Sequence, residues 1–561
     1  MSSHLVILIV GGYGTFGGRL VELLENEPRL TLIVAGRSLQ KANAFCKTHG
    51  NAKARLVAVA FDRNADITAQ LTALKPDILV DASGPFQAYG SECYRLIEAC
   101  IAQRINYLDL ADGSDFVAGV RTFDEAACAA DRYILSGVSS FPVLTAAVVR
   151  HLSPGMVQVA VIRGGIAPSP YAGVGENVIR AIAGYSGQPV ALRRNGAVAT
   201  GYPFTEHLRF TIAPPGYLPL HNTLFSLVDV PDLRALAELW PDAKNIWMGA
   251  GPVPEILHRA LAALAWLVRL KLLPALSMLA PLMYFTTNHL RWGEHRGGMF
   301  VEVEGTNEAG APIKRSWHLL AEGSDGPLIP SMAVEALVRR TLEGRLPSPG
   351  ARAAVRELEL DDYQTLFANR TIHTGTRDDA PDRAMPLYAR ILGTAWETLP
   401  AAIRQLHNCS GAHTARGRAS VERGVSTLAR LAAAIMGFPK ATADTPVSVQ
   451  FTAAGGDETW ARTFGDESFS SIQYAGRGRS QGLLCERFGP LTFAMALVAN
   501  NGRLSLVLRR WSAFGIPLPM WLCPRSNSWE ETQAGRFHFH VEIRHPLTGL
   551  IVRYKGWLEP T

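Results

Sequence analysis

Through the first quarter of the chain, unbroken apolar runs alternate with stretches of helical spacing. Residues 5–10 (LVILIV) are all Leu, Ile or Val, and a run of that length without alternation predicts a strand buried on both faces of a parallel sheet. Glycines crowd the next eight positions, and RLVELL at 19–24 then has the spacing of a helix. Residues 30–35 (LTLIVA), 56–61 (LVAVAF), 77–81 (DILVD), 106–110 (NYLDL) and 132–136 (RYILS) predict five further strands. Helices fall between them, among them 91–103 and one near 124–130. Six strands alternating with helices in about 140 residues is the size of a complete doubly wound α/β domain.

The period then changes. Residues 157–163 (VQVAVIR) alternate as a half-buried strand, and 177–183 read as a helix. Residues 299–305 and 313–321 alternate on either side of a polar loop at 307–310, which predicts a hairpin. A helix at 331–343 ends at Gly344. An α+β substrate domain with an antiparallel sheet is expected over 151–375, following a nucleotide domain over 1–150. Within it lies an apolar helical insertion, 255–287, in which Glu255, His258, Arg259 and Arg269 share one helical face. Its uncharged run of 14 residues, 272–285, is interrupted by Pro274 and Pro281. Spanning a bilayer takes about 20 apolar residues, so the insertion is either a buried helical pair lining a substrate site, the favoured reading, or an interfacial patch.

Asp378-Asp379-Ala380-Pro381-Asp382 reads as a linker, and helical patterns follow at 387–406 and 427–436. From residue 447 onward the segments alternate, with turns such as Asn500-Asn501-Gly502. That predicts a separate β-rich α+β domain, 384–561, built on an antiparallel sheet of seven or so strands. A chain of 561 residues is too long for one core in any case.

Composition narrows the chemistry. A net charge of +6 with no long lysine or arginine block does not describe a nucleic-acid binder. Seven scattered cysteines without C-x-x-C spacing fit reduced thiols better than disulfides or zinc. His538 and His540 share a strand face with His545 nearby, but no carboxylate or cysteine completes a metal site by spacing; they read as surface histidines on an edge strand. The first apolar run is too short for a signal peptide and leads directly into glycines. The expected location is cytoplasmic, with peripheral contact at the inner membrane left open by the insertion, and a homodimer left open as the assembly.

The candidate chemistry sits where the first strand ends. Gly12, Gly14 and Gly17 form G-x-G-x-x-G between a buried strand and a helix. The first glycine permits the tight turn, the second admits a pyrophosphate to the backbone, and the third allows close helix–strand packing. Tyr13, Thr15 and Phe16 complete the loop, and the helix N-terminus supplies free amides and positive dipole. After the second strand, where an NAD-type site has a carboxylate for the ribose, stand Arg37 and Ser38. A guanidinium pairs with a 2′-phosphate, so NADP(H) is expected rather than NAD(H). Asp62, after the third strand, suits a contact near the adenine. The small-residue turn Ser83-Gly84-Pro85 after the fourth strand suits the nicotinamide end, with Phe86 and Tyr89 at the entrance.

Taken in order, G-G-Y-G-T-F-G-G, A-G-R-S, D-A-S-G-P-F-x-x-Y-G and N-Y-L-D-L-A-D-G resemble the NADP-binding Rossmann domain of the saccharopine dehydrogenase-like family. Where members of that family often carry Gly-Glu after the fifth strand, this chain has Gly113-Ser114. The resemblance implies an oxidoreductase. Residues 385–560 resemble a bacterial family of unknown function that follows such domains. No tyrosine is followed four positions later by lysine, which disfavours the short-chain reductase mechanism. The proton donor is then Tyr89, Asp112, His318 or water, with Tyr89 favoured by its place after the fourth-strand turn; Trp317-His318 and Asp325 could also reach the cleft. Saccharopine itself would need several convergent arginines. The expected reaction is hydride transfer to or from C=C, C=O or C=N of a hydrophobic, lipid or polyketide-like substrate. The alternative is a non-catalytic NADP-binding scaffold or lipid-binding protein.

Overall fold

In the computed structural model, residues 4–378, 385–409 and 411–561 are described, so most of the expected linker lies outside the described residues. The chain forms two compact units, Met1–Arg209 with Thr223–Ile372, and Phe210–Asn222 with His373–Thr561.

The first unit begins with β1 (Leu5–Val10), the helix α1 (Thr15–Leu24), β2 (Leu30–Gly36), β3 (Arg55–Ala60), β4 (Ile78–Asp81), β5 (Asn106–Asp109) and β6 (Tyr133–Ser136). All six strands are parallel, in the order β6-β5-β4-β1-β2-β3. A seventh parallel strand, Gly350–Ala353, joins outside β6. This is the doubly wound order, with its crevice at the carboxyl ends of β1 and β4 where the winding reverses. Central strands β2 and β4 are buried along their whole length, as their unalternating sequences require.

Five further strands of this unit belong to a second, mixed sheet: β7 (Gln158–Ala167), β8 (Thr223–Leu227), β9 (Asn245–Ala250), β10 (Gly297–Thr306) and β11 (Pro312–Ala321). They run β8-β9-β7-β10-β11, antiparallel except for the β9–β7 pair. One continuous core joins this mixed sheet to the parallel sheet, so Ile9 and Val34 belong to the same apolar cluster as Val301 and Trp317.

The apolar insertion forms two helices, α2 (Glu255–Arg269) and α3 (Ala280–His289), separated at Pro274. The favoured expectation of a buried pair needs correction. Ala262, Ala265, Val268 and Ala280 face inward, but Ile256, Leu272, Met278, Leu282 and Phe285 are more than half exposed. Small residues fill the inner stripe, leaving the large ones outside. A long helix α4 (Ile329–Leu342) then packs almost wholly inside, beside α1.

In the second unit the expected helix over 387–406 is broken. Gly393 takes a left-handed backbone (φ +52°) and Pro400 cannot continue a helix, which leaves α5 (Leu387–Leu392) and α6 (Ala401–His407). The sheet has ten principal strands rather than seven: β12 (Ala412–Arg423), β13 (Thr442–Ala454), β14 (Asp457–Phe464), β15 (Glu467–Ala475), β16 (Leu484–Phe488), β17 (Leu491–Asn500), β18 (Arg503–Ala513), β19 (Arg525–Gln533), β20 (Arg536–His545) and β21 (Gly549–Pro560). Each pairs antiparallel with its neighbours, β17 pairs with β18, β18 with β19, and β21 with β12. The ring is closed, and the unit is a ten-stranded barrel. A short helix α7 (Thr427–Ile435) bridges β12 and β13.

Closure also corrects the reading of the histidines. The strand carrying His538 and His540 is paired on both sides, so it is no edge, and His540 stacks inside on Trp529 with ring centroids 5.1 Å apart.

Candidate active site

The glycine loop turns tightly because of its glycines. Gly11 has φ +82°, and a Cβ at Gly12 would come within 2.9 Å of the Ile9 carbonyl oxygen. A Cβ at Gly17 would lie 2.3 Å from the Gly11 carbonyl oxygen, so any larger residue would push α1 away from the loop. Gly14 is the N-cap of α1 and, like Thr15, is exposed. The first-turn amides of Thr15, Phe16 and Gly17 precede any intrahelical acceptor. Phe16 is anchored by its carbonyl oxygen, which accepts from the Ser331 hydroxyl of α4 (3.1 Å).

Tyr13 leaves the loop sideways and lies flat on Gly36, where a Cβ would be 2.6 Å from its ring. Its hydroxyl accepts from the Ser38 amide (3.1 Å), pinning the end of β2 beside the glycine loop. Ser38 caps the next helix, its side chain accepting from the Lys41 amide. Arg37, between them, is exposed and forms no ion pair or hydrogen bond with a described residue. Asp62 holds a local turn, accepting from the Asn64 amide (3.0 Å), while Gln70 braces its backbone.

At the end of β4 the structure brings together groups whose connection the sequence concealed. Asp81 is buried, and its Oδ1 accepts from both the amide (3.0 Å) and the hydroxyl (2.5 Å) of Ser83. The Ser83 hydroxyl is also 2.7 Å from the Tyr89 hydroxyl. The Arg63 guanidinium lies over the Tyr89 ring, 3.2 Å from its centroid, and Phe86 and Phe116 pack around it. Burial raises the Asp81 carboxyl, opposed by Arg63 and the Ser83 hydrogen bonds, and burial likewise raises the Tyr89 phenol. Beside them Asp109 ends β5, fully buried and pushed up to about 7 by desolvation, although it accepts from Ser136 and from the Gly137 and Ala111 amides.

Ser83, Gly84 and Pro85 remain partly open, and a segment from much later in the chain reaches them. Asn177 donates to the carbonyl oxygens of Gly84 (2.8 Å) and Ser83 (3.3 Å). Arg19 of α1 donates to the carbonyl oxygen of Ala172 (3.0 Å), and Gly175 abuts Thr15. Residues 172–177 therefore run as a strap from the glycine loop to the β4 turn, across the crevice. Sequence reasoning missed Asn177, Arg63 and the strap; the glycines at 173 and 175 were the signal available. Asp112 accepts from Gln87 (3.1 Å), and Asp112 and Asp229 both raise Tyr185, which burial already pushes up.

The remaining candidates lie in supporting structure. Trp317 and His318 are buried in β11, with His318 bonded to Ser316, and Asp325 holds Thr371 and Arg370. His258 is buried against Ser226 (2.6 Å). Among the described residues no cluster of three metal-binding side chains occurs.

A doubly wound sheet with a glycine loop, an open helix N-terminus and a partly covered crevice defines a dinucleotide-binding domain of the oxidoreductase kind. Residues 7–133 match the saccharopine dehydrogenase NADP binding domain, and residues 399–558 match Domain of unknown function (DUF4166). The chain carries these two domains, and over the first of them it is similar to saccharopine dehydrogenase-like, NAD(P)-binding oxidoreductases.

Among solved structures it is similar to apo saccharopine dehydrogenase (L-Glu forming) from Saccharomyces cerevisiae, at 12% identity over 67% of this chain and 99% of that one (TM-score 0.48). It is also similar to a meso-dapdh mutant from Clostridium tetani, at 14% identity over 64% and 95% (TM-score 0.32). A third is the WlbA dehydrogenase from Thermus thermophilus, at 12% identity over 61% and 90% (TM-score 0.29). No curated protein matches. No helix among the described residues is long and apolar enough to cross a membrane.

Proposed function

We propose that the chain is an NADP(H)-dependent reductase or dehydrogenase acting on an uncharged, hydrophobic substrate. The observation that carries the cofactor choice is Arg37, exposed and without a partner among the described residues, beside the Tyr13–Ser38 clamp at the end of β2. A cation there attracts a 2′-phosphate, and no carboxylate stands in its place to bond a free ribose. The glycine loop fits a pyrophosphate, since Cβ atoms would crowd it and first-turn amides are free to donate. When bound, the nicotinamide supplies or accepts the hydride.

The protein's own contribution is then positioning and a proton. Asp81, Ser83 and Tyr89 form a line of hydroxyl contacts running from a buried carboxyl to the partly exposed phenol. With Asp81 protonated, its proton can pass to Ser83, the Ser83 proton to Tyr89, and the Tyr89 proton to a carbonyl or imine placed in the crevice. A buried, raised carboxyl favours that direction. Asn177 fixes the turn that holds this line, so the strap and the relay are mechanically joined.

The substrate reading rests on two features. Arg19 and Arg63 are committed to carbonyl oxygens and to an aromatic face, which leaves them unsuited to grip a multiply charged substrate. The helix that carries Asn177 packs its apolar face, Ile179 and Ala183, on Val268, Leu276 and Ala280 of the insertion. We further propose that the exposed face of α2 and α3 meets a lipid surface, from which such a substrate would come.

Calorimetry with NADPH and NADH on the wild type and Arg37→Ala tests the cofactor reading. NADPH should bind at least tenfold more tightly than NADH, with the difference abolished in the variant. Tyr89→Phe should bind NADPH as the wild type does and lose 100-fold or more of substrate-dependent NADPH oxidation. Failure to bind either nucleotide would overturn the proposal.

A further inference from the structure

We infer that the C-terminal barrel is a binding site for a single uncharged, apolar small molecule, a hydrocarbon chain or ring system bearing at most a hydroxyl or carbonyl group. This goes beyond the oxidoreductase reading and does not depend on it.

Closing ten strands leaves more interior than their inward side chains fill. The barrel encloses a cavity of about 340 Å3, within the range of sites that hold a small ligand. Its wall is largely aromatic, including Trp460, Phe464, Phe488, Phe493, Trp511 and Phe539. One end is shut. There α5 and α6 bring in Tyr388 and Leu406, both fully buried, and Tyr388 is bonded to Gln473 (3.1 Å).

The opposite end is where β12 leads into α7 and where the turns after β14, β16, β18 and β20 lie. Here Ile435 of α7 both lines the cavity and is 74% exposed, so this end is the mouth. Its rim carries exposed apolar groups from several elements. Leu428, Leu431 and Ile435 share one face of α7, with Val425 just before it, and all four are exposed. Across the mouth Phe514, Ile516 and Trp521, between β18 and β19, are exposed as well, as is Leu547 in the turn after β20. Exposed apolar groups gathered round a cavity mouth suit a ligand that arrives from an apolar phase.

The interior charges choose the ligand class. Arg462 enters the cavity wall already paired with Glu486 (2.9 Å) and bonded to Ser471 (2.8 Å); Arg462 and Glu486 are each about 11% exposed. Glu530 is bonded to the fully buried His407 (2.7 Å). Arg462 has its counterpart in Glu486, and Glu530 is held by the His407 hydrogen bond, so a carboxylate ligand would meet two glutamates and no unpaired lysine or arginine among the described lining residues. Burying it unpaired is costly. A hydroxyl or carbonyl carries no such penalty.

The test uses the full chain and N-phenyl-1-naphthylamine, a neutral probe that brightens in apolar sites, at pH 8. The expected result is saturable 1:1 binding, with 1-dodecanol displacing the probe at least tenfold more effectively than dodecanoate. Met495→Trp and Val541→Trp, which fill the cavity, should each weaken probe binding tenfold or more without lowering the melting temperature. Should both unfold the barrel, hydrogen exchange of the wild type decides: dodecanol must slow amides in β14, β18 and α7 and leave those of the first unit, residues 4–209 and 223–372, unchanged. Absent or unsaturable probe binding, folded fillings that bind as before, protection elsewhere, or displacement by dodecanoate as effective as by dodecanol would each overturn the inference.

Discussion

Asp109 shows how a single buried group sets a pH dependence. The unfolded carboxyl titrates near the ordinary value of 3.8, and in the fold it is pushed up to about 7. The native state thus holds a proton more tightly than the unfolded chain. Its stabilising effect is complete below about pH 4 and is lost as pH rises through 7. Each tenfold change in proton affinity is worth about 1.4 kcal/mol, so the loss can reach about 4 kcal/mol. Asp109→Asn keeps an acceptor for Ser136, Gly137 and Ala111 while removing the titration. Thermal melts between pH 5 and pH 8 should therefore fall less in the variant than in the wild type, and parallel curves would contradict this account. At the same scale, the tight glycine loop was readable because its geometry depends on neighbours close in sequence. Asn177 lies 93 residues from Gly84 and Arg63 lies 26 residues before Tyr89; only the folded crevice joins them.

Elements differ in how plainly their sequences announce them. β1, β2 and β4 are buried on both faces, and their unbroken apolar runs leave one reading. β12 (AHTARGRASVER) and β19 (RSNSWEETQ) are largely polar, because barrel strands pair outward charges across the ladder, as Arg418 does with Asp444 and Arg503 with Glu531. Those strands escaped a hydrophobicity pattern, and so did closure, which depends on pairing the first strand with the last. The apolar insertion misled in the opposite sense, since its period is helical but its large residues face out. Between Lys271 and Arg291 the chain has no acidic residue, so the exposed face of α3 and the turn before it are apolar with basic ends. If this face meets lipid, the chain should float with vesicles containing anionic lipid and less with neutral ones. Paired substitutions Met278→Asp and Leu282→Asp should abolish the difference. No flotation of the wild type would leave the face without this role.

On the scale of the molecule, the boundary between units is not where composition suggests. The barrel unit borrows thirteen residues, 210–222, from the middle of the chain, and they are structural parts of it. The Ala499 amide donates to the Gly216 carbonyl oxygen (2.9 Å), Arg509 to Pro219 (3.1 Å) and Arg377 to Ala213 (2.6 Å). Leu218 packs on a small apolar cluster of Leu483, Cys485, Ala494 and Ala496 outside the barrel wall. A pattern reader sees in 210–222 only a proline-rich connection, because its partners lie more than 150 residues away. Three hydrogen bonds at about 1 kcal/mol each, with the leucine contact besides, put the loss on removing the segment at about 4 kcal/mol. A fragment of residues 373–561 should therefore melt several degrees below the barrel transition of the full chain, followed by its tryptophan fluorescence. Adding a peptide of residues 210–222 should recover part of the difference, since the segment then acts as a ligand of the folded barrel. A fragment that melts with the full chain would mean that this segment merely lies on the barrel, and that residues 373–561 specify it alone.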